Sequence, residues 1–277
     1  MLFRSYGLYL YLSPGLDGKL AEIYRWLSAP DPSLNYKKAL KQRQAGTGVW
    51  FLESKQYAKW KTDTASFLCL YGIPGCGKTI LSSTILESVF QYCADDPGKI
   101  VAYFYFDFTD LQKQVPELMA RSLIFQLSQQ CVKLPASLET LFSSCENRQQ
   151  KPTLDELLEV LQQIALESSQ SYIILDALDE CANRAELMDI LETIAGWQLK
   201  KLHILLTSRR ERDIEISLET LVDARSAIDL RAEMVDKDIR AYIDHRLSVD
   251  KNLKRWQKDR GIRQEIEAAL MGKACGM

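Results

Sequence analysis

The sequence predicts an α/β fold: a three-layer α/β/α sandwich around a mainly parallel five-stranded sheet, with a helical segment before it and a helical extension after it. From residue 66, short apolar runs alternate with longer amphipathic ones, which is the pattern of β-α-β units. A glycine-rich loop follows the first of these runs. The 277 residues suffice for one such domain with additions.

The chain divides into four predicted regions. Residues 1–19 are an N-terminal segment of uncertain role, which resembles a secretion signal but lacks a clear cleavage site. Residues 20–65 are a helical linker with an amphipathic helix, "GKLAEIYRWLS", and a basic one, "NYKKALKQRQ". Residues 66–232 form the core. Residues 233–277 are a helical extension that stops without an evident finishing element and so looks truncated.

Five apolar runs are predicted to be the strands of the sheet. They cover residues 67–71, 100–106, 172–176, 203–207 and 226–230. Between them, the run "TLDELLEVLQQIALE" opens with Thr153 and has Glu156 three residues on, which predicts a helix with a capping box. Beyond residue 230, "DKDIRAYIDHRL" and "IRQEIEAALMGKA" have the spacing of amphipathic helices.

The loop after the first predicted strand reads "GIPGCGKT" and fits the phosphate-loop pattern G-x-x-x-x-G-K-[ST] letter for letter. A strand precedes it and a helical run follows, as such a loop requires. Lys78 is predicted to reach the β- and γ-phosphates of a nucleotide, and the Thr79 hydroxyl to ligate Mg²⁺. A glycine-rich turn with an exposed lysine is the alternative. The predicted nucleotide-binding residues are Gly72, Ile73, Pro74, Gly75, Cys76, Gly77, Lys78, Thr79 and Ile80.

A second motif, "SYIILDALDEC", places an acidic residue at the carboxyl end of a buried strand, where α/β sheets bind ligands. Asp176 is predicted to hold Mg²⁺ opposite Thr79. Asp179 and Glu180 follow, and either carboxylate is a catalytic candidate that could orient or activate the attacking water. A solvated acidic turn is the alternative reading of this segment.

A third motif, "HILLTSRRERDI", runs from another buried strand into two arginines. Arg209 is the first choice for a catalytic residue that senses or neutralises the γ-phosphate, and Arg210 is the second. Either could instead be an ordinary surface arginine. The strand at 100–106 precedes the second motif, which favours the ATPase branch in which one strand lies between the two motif strands in the sheet. No N-K-x-D guanine-reading motif is present, so ATP and ADP are the expected nucleotides.

The composition sets expectations about partners and location. The 35 basic and 37 acidic residues nearly cancel, so no overall positive field attracts nucleic acid and none is expected as a partner. Seven cysteines, an odd number without C-x-x-C pairs, suit a reducing cytosol. No apolar stretch is long enough for a membrane helix. We therefore expect no stable membrane insertion and a cytoplasmic location.

Five further residues are predicted to be structural rather than chemical. His203 begins a buried strand and His245 lies in a charged helix, without the companions that a metal or acid–base site needs. Cys76 is interpreted as a small loop filler, the alternative being a reactive thiol beside the N–H groups of the loop. Asp107 and Asp110 are expected to shape a turn, the alternative being that they join a water network near Asp176.

With these motifs assembled, the chain resembles the NACHT family of STAND P-loop NTPases, in particular the nephrocystin-3-like N-terminal region of fungal NOD-like receptors. The segments that carry the resemblance are "LYGIPGCGKTILSSTILE", "ILDALDEC", "LLTSRRE" and the stretch from Arg25 to Ser54. In "DALDE", a small residue, Ala177, follows the metal aspartate, an arrangement typical of NACHT proteins.

The resemblance implies a molecular switch with weak ATPase activity. Bound ADP would hold a closed monomer, and exchange for ATP would open it to form a homo-oligomer or to engage partner NACHT or effector proteins. In the fungal family such proteins serve non-self recognition and programmed cell death. Val49 and Trp50 sit where relatives contact adenine, although a core or interface role for Trp50 is equally open. Full-length members carry C-terminal repeats, and this chain has none.

Two other functions remain open from the sequence. The chain could be a P-loop enzyme such as a kinase or repair ATPase, which would show turnover stimulated by an acceptor or by DNA. It could also be a non-catalytic interaction module that keeps the fold and binds partner receptors through its helices.

Overall fold

The computed structural model describes residues 14–64, 66–148, 150–230, 232–250 and 260–274. Most of the run that resembles a secretion signal lies outside these residues. The strands are β1 (Ser66–Tyr71), β2 (Lys99–Tyr105), β3 (Gln170–Asp176), β4 (Leu202–Ser208) and β5 (Ala227–Asp229). The helices are α1 (Pro14–Leu27), α2 (Ser33–Gln42), α3 (Val49–Leu52), α4 (Lys55–Thr62), α5 (Lys78–Cys93), α6 (Pro116–Ser128), α7 (Ala136–Arg148), α8 (Leu154–Glu167), α9 (Arg184–Gly196), α10 (Arg212–Glu219), α11 (Ala232–Val249) and α12 (Arg260–Ala274).

The five strands form one sheet in the order β2-β3-β4-β1-β5, and every neighbouring pair is parallel. Each strand lies within two residues of its predicted position. Strand β4 lies between β1 and β3, so one strand separates the strands of the first two motifs as predicted, and β2 is at the edge of the sheet. The carboxyl ends of β1, β3 and β4 therefore meet at one edge, and that edge carries all three motifs.

Helices cover both faces of the sheet and give the predicted three layers. On one face, buried side chains of α1 and of α6 to α10 pack together with alternate strand residues. On the other face, α3, α4 and α5 bury their side chains against the remaining strand residues. Every residue of β4 is buried, as expected for a central strand of a parallel sheet that is covered on both sides.

The helices before residue 66 are part of this compact body. Ile23 and Leu27 of α1 are fully buried in the core on the first face. Trp60 of α4 is buried on the second face, and its indole N–H donates to the carbonyl oxygen of Ile204 at 3.0 Å. The predicted helical linker thus packs on the sandwich, while the boundary at residue 66 stays a prediction.

Local sequence signals explain several helix ends. Thr153 and Glu156 form the predicted capping box at the start of α8, in which the Thr153 side chain accepts from the Glu156 N–H and Glu156 accepts from the Thr153 N–H. Pro116 is at the start of α6, and it costs no hydrogen bond there because the first N–H groups of a helix have no partner within the helix. Among the described residues, no helix is both long and apolar enough to cross a membrane.

Candidate functional site

The phosphate loop, residues 72–79, connects β1 to α5 and is shaped by its glycines. Gly75 and Gly77 have φ angles of 78° and 89°, in the left-handed region that favours glycine. Gly72 is required for space, because a Cβ there would lie 2.4 Å from Cys76 Sγ. Cys76 is buried beneath Gly72, which supports its interpretation as a loop filler.

Lys78 folds back over this loop. Its Nζ donates to the carbonyl oxygens of Gly72 at 2.7 Å and Ile73 at 3.0 Å. The residue before α5 is Gly77, which has no side chain to cap the first N–H groups of the helix. These N–H groups and the helix dipole favour an anion at the loop, as the motif predicts.

Thr79 and Asp176 are in direct contact. The Thr79 hydroxyl donates to Asp176 Oδ2 at 2.7 Å, and the Thr207 hydroxyl donates to Asp176 Oδ1 at 2.8 Å. Asp176 is 1% exposed. Burial raises the pKa of this carboxyl above its usual range, and the two hydroxyl donors partly oppose the shift. Strands β3 and β4 thus deliver one carboxylate to the start of α5.

The turn after Asp176 is built on an unusual backbone conformation. Ala177 has φ 58° and ψ 53°, in the left-handed region that residues with a Cβ seldom adopt. Its N–H donates to Thr207 Oγ1 at 2.9 Å, so the turn is tied to the same threonine that contacts Asp176. This turn directs Asp179 and Glu180 to different partners.

Asp179 is buried against Arg209. Its Oδ1 accepts from the Arg209 backbone N–H at 2.8 Å, and its Oδ2 lies 3.0 Å from Arg209 Nε. The carboxylate is 5% exposed and the arginine side chain 43% exposed. Asp179 therefore holds Arg209 in place at the carboxyl edge of the sheet.

Glu180 has a different environment. Its Oε2 accepts from the Phe108 backbone N–H at 3.1 Å, in the loop after β2. Burial raises the pKa of Glu180, the Phe108 hydrogen bond opposes this, and the nearby charges of Asp179 and Asp107 raise it further. A carboxylate with a raised pKa and one neutral donor is better suited to accept a proton than the ion-paired Asp179.

Arg210 is directed away from Asp179. It pairs with Glu215 at 2.5 Å and with Asp229 at 3.7 Å, and its guanidinium lies 5.2 Å from the centre of the Tyr71 ring. The two arginines predicted for the site therefore have separate partners, and Arg209 is the one joined to the residues of the second motif.

A cleft of about 860 Å³ adjoins the phosphate loop. This volume falls in the range of small-molecule sites. Trp50 and Gly48 line it, whereas Val49 is not among its lining residues, so only Trp50 of the two predicted adenine contacts is placed there. The remaining lining residues come from α2, from residues 43–47, from residues 75–77, from α5, from Leu230 and from α11.

None of the α11 residues that line the cleft was predicted to belong to the site. His245, which the sequence suggested to be structural, lines the cleft. Asp238 also lines it, and its Oδ2 accepts from the Gly48 N–H at 2.8 Å and from Trp50 Nε1 at 3.0 Å. No local sequence pattern predicts this contact, because the partners are 190 and 188 residues apart.

The other predicted structural residues keep that role. His203 is fully buried and stacks on Tyr172 with ring centres 4.6 Å apart. Its Nδ1 lies 2.8 Å from the Trp60 carbonyl oxygen, and within the described residues its Nε2 has no hydrogen-bond partner. Burial lowers the pKa of His203, and the bond to Trp60 opposes this shift.

The loop after β2 shows that Asp107 and Asp110 shape turns. Asp107 Oδ1 accepts from the N–H of Thr109 at 2.9 Å, and Asp107 Oδ2 accepts from Asn35 Nδ2 at 3.0 Å. Asp110 accepts from the Gln112 N–H at 3.1 Å and caps a short 3-10 turn. The bonds from Thr109 and Gln112 are local, as the turn interpretation expects, whereas the bond from Asn35 joins the loop to α2.

Comparison with known proteins agrees with this geometry. The model of the family described as nephrocystin 3, N-terminal, matches residues 46–209, which include the first two motifs and the third as far as Arg209. The chain belongs to this family. Vegetative incompatibility protein HET-E-1 of Podospora anserina is 28% identical over 245 residues, which are 83% of this chain and 17% of that protein. The chain is a NACHT-type, nucleotide-binding P-loop NTPase, and it spans about a sixth of the length of that relative.

Solved structures share the architecture at low similarity. The ORC1 protein of Aeropyrum pernix in complex with DNA is 15% identical with a TM-score of 0.45, over 80% of this chain and 53% of that one. Drosophila ORC bound to DNA is 14% identical with a TM-score of 0.45, over 88% of this chain and 60% of that one. Values this low carry no inference about ligands, so the absence of a nucleic-acid partner stays a prediction.

Proposed function

We propose that this member of the nephrocystin 3, N-terminal family is a switch that binds ATP or ADP with Mg²⁺ and hydrolyses ATP slowly. The observation that supports it best is the contact of Thr79 in the phosphate loop with the buried Asp176 at the end of β3. This contact joins the two motifs that NTPases use for phosphate and metal, beside a cleft of about 860 Å³.

The residues at the loop fit a nucleotide and its metal ion. Gly72, Gly75 and Gly77 leave the backbone open to phosphate, and Lys78 supplies the cation. The Thr79 hydroxyl and the Asp176 carboxylate are oxygen donors of the kind that Mg²⁺ prefers. When bound, Mg²⁺ would neutralise charge on the phosphate oxygens.

We assign the remaining motif residues by their contacts. Glu180 is the better candidate to accept a proton from the attacking water, because its oxygen has one neutral donor and a raised pKa. Arg209 is the candidate to contact the γ-phosphate, with Asp179 as its support. Trp50 is the candidate to stack on the adenine ring at the cleft wall.

A switch is favoured over a metabolic enzyme by the relative rather than by the site alone. HET-E-1 is named as a vegetative incompatibility protein, which fits the signalling role that the NACHT resemblance implies. In such a role, the γ-phosphate acts by its different affinity for two arrangements of the protein, and slow hydrolysis sets the lifetime of one of them. Oligomerisation with copies of itself or with partner NACHT or effector proteins, and a cytoplasmic location, belong to the same proposal.

The experiment is to purify the chain without added nucleotide, denature it and identify what it releases by chromatography. We expect ADP or ATP at close to one per chain in the wild type, and none in Lys78→Ala. Lys201→Ala, which changes an exposed residue just before β4 at the amino edge of the sheet, is the matched control and should retain the nucleotide. Empty wild-type protein that also fails to bind added ATP or GTP would instead favour the interaction module.

A further inference from the structure

One face of α11 closes the side of the cleft opposite α5. The α11 residues that line the cleft are Val235, Asp238, Ile239, Tyr242, His245 and Arg246. Their spacing of three, one, three, three and one residues places them on one face of the helix. A nucleotide in this cleft would lie between the phosphate loop and this helix.

A single carboxylate oxygen joins α11 to residues 48–50, which are called the segment below. Asp238 Oδ2 accepts hydrogen bonds from the Gly48 backbone N–H at 2.8 Å and from the Trp50 indole N–H at 3.0 Å. Bonds to an ionised acceptor are the stronger kind of protein hydrogen bond. The same carboxylate therefore positions both the helix and the aromatic ring that lines the cleft.

The segment is fixed on its other side by α5. Gly48 has φ 76°, and a Cβ on it would lie 3.2 Å from Leu81 Cδ1 and 3.3 Å from Thr84 Cγ2. There is thus little space for the segment to shift further toward α5. If α11 moves away from α5, the segment must lose one of two contacts: its packing on α5 or its hydrogen bonds to Asp238.

We propose that Asp238 is a latch: it holds α11 and Trp50 over the cleft, and breaking its two hydrogen bonds is part of nucleotide release. This inference rests on the proposed function, because it concerns the rate at which ADP or ATP leaves that same site. Asp238 is a positioning residue, since it acts through α11 and Trp50.

The sign of one effect separates the latch from simple electrostatics. A nucleotide polyphosphate is an anion, so a nearby carboxylate that only repelled it would slow release when neutralised. The latch requires the opposite result, because neutralising Asp238 weakens the bonds that keep the cleft closed. Asp238→Ala removes both bonds, whereas Asp238→Asn keeps an oxygen that can accept from both donors, although without the charge.

The test is stopped-flow release of fluorescent mant-ADP, chased with excess ADP. We expect release from Asp238→Ala to be about tenfold faster than from the wild type, and release from Asp238→Asn to be intermediate. The matched control is Asp236→Asn, which removes the same charge from the same helix at a residue that does not line the cleft. Its release rate should equal that of the wild type.

A double-mutant cycle tests whether the effect passes through Trp50. Trp50→Phe removes the indole donor and keeps an aromatic ring, so combining it with Asp238→Ala should give less than the product of the two single effects. Hydrogen exchange provides a measurement without nucleotide: the Gly48 amide should exchange faster in Asp238→Ala than in Asp236→Asn. A purely structural loss of α11 packing would instead speed exchange along the whole helix.

The outcomes distinguish this inference from the proposed function. If the wild type binds mant-ADP and Asp238→Ala releases it at the wild-type rate or more slowly, the latch is wrong and the nucleotide site stands. Multiplicative effects in the cycle, or unchanged exchange at Gly48, would also overturn the latch. If the wild type binds no mant-ADP, the proposed function is wrong and the latch is wrong with it.

Discussion

The two ends of the cleft are built in different ways. The phosphate end consists of residues 72–79 and of short motifs at the ends of β3 and β4, each recognisable within a few residues of sequence. The opposite end joins residues 48 and 50 to Asp238, across 190 and 188 residues. The first end is fixed by the sheet and α5, whereas the second depends on how α11 docks. This difference suggests that affinity is set mainly at one end and release at the other.

The difference between the two ends of the cleft is tested most strongly by a series of ligands with fewer phosphates. In the wild type, we expect affinity to fall by about a hundredfold from ADP to AMP, because the phosphate loop and Lys78 bind the β-phosphate with charge-assisted hydrogen bonds. In Lys78→Ala, ADP and AMP should bind almost equally. Isothermal titration calorimetry with both ligands measures this, and a series that stays steep in the variant would contradict the assignment of Lys78.

The two arginines at the end of β4 should differ when hydrolysis is measured. Arg209 is joined to the buried Asp179, whereas Arg210 contacts Glu215, Asp229 and Tyr71. We expect Arg209→Ala to lower the single-turnover rate of ATP hydrolysis about thirtyfold, with little change in ADP affinity. Arg210→Ala is the control and should hydrolyse at nearly the wild-type rate. The reverse order would move the γ-phosphate contact to Arg210.

Trp50, at the opposite end of the cleft, can be tested with the same ligands. Trp50→Ala should weaken ADP and AMP by the same factor, about tenfold, because stacking on adenine does not involve the phosphates. The same titrations as for Lys78 measure this change. A loss confined to ADP would show that Trp50 acts at the phosphate end, and no loss at all would return it to a purely structural role.

Asp176 should show a conflict between function and stability. Its raised pKa means that the folded protein binds a proton there more readily than the unfolded chain, so ionised Asp176 lowers stability as pH rises through its folded pKa. Asp176→Asn should therefore raise the melting temperature of the nucleotide-free protein at pH 7.5 by about 2–4 °C, for a gain of roughly 1 kcal/mol. It should also abolish the gain in nucleotide affinity on adding Mg²⁺.

Asp179→Asn is the matched control for that experiment. This substitution removes a buried charge that is paired with Arg209, so it should lower the melting temperature instead. Differential scanning calorimetry at one pH measures both variants. Equal shifts for the two variants would mean that burial and pairing do not separate the carboxylates in the way the contacts indicate.

The smallest effect is expected far from the cleft, at His203. Its folded pKa is lowered, so the unfolded chain takes up a proton near pH 6.5 and the folded chain does not. Stability should fall as pH drops below about 6.5, by at most about 1.4 kcal/mol per pH unit. Urea unfolding at pH 7.5 and 5.5 should show a smaller decrease in His203→Gln than in His245→Gln, whose exposed imidazole is the control.

Much of the fold and half of the site were predictable because their signals are local. Apolar runs in a buried parallel sheet are continuous, so all five strands lie within two residues of the prediction. The phosphate loop, Asp176 and Arg209 follow strands directly, and parallel strands bring those ends together. The different partners of Asp179 and Glu180 were not predictable, because they are the Arg209 side chain and the Phe108 N–H, which lie in the loops after β4 and β2.

The opposite end of the cleft escaped prediction for a related reason. Asp238 and His245 sit in a helix whose charged residues resemble any solvated helix face in the sequence. Only the docking of α11 gives them neighbours. The packing of the N-terminal helices was not predictable either. Trp60 bonds to a backbone carbonyl oxygen of β4, and every residue has such a carbonyl, so no residue type indicates the contact.

A phosphate that binds Lys78 must replace contacts that the lysine already makes with its own loop. Its ammonium already donates to two carbonyl oxygens of its own loop, at 2.7 and 3.0 Å. Phosphate binding is therefore an exchange of acceptors, in which the loop carbonyls release the ammonium and the phosphate oxygens receive it. A ligand gains only the difference between the two sets of bonds. The loop carbonyl oxygens therefore compete with the anion for the Lys78 ammonium. An anion that is a weaker acceptor than phosphate does not displace the ammonium from them, and this makes the loop selective.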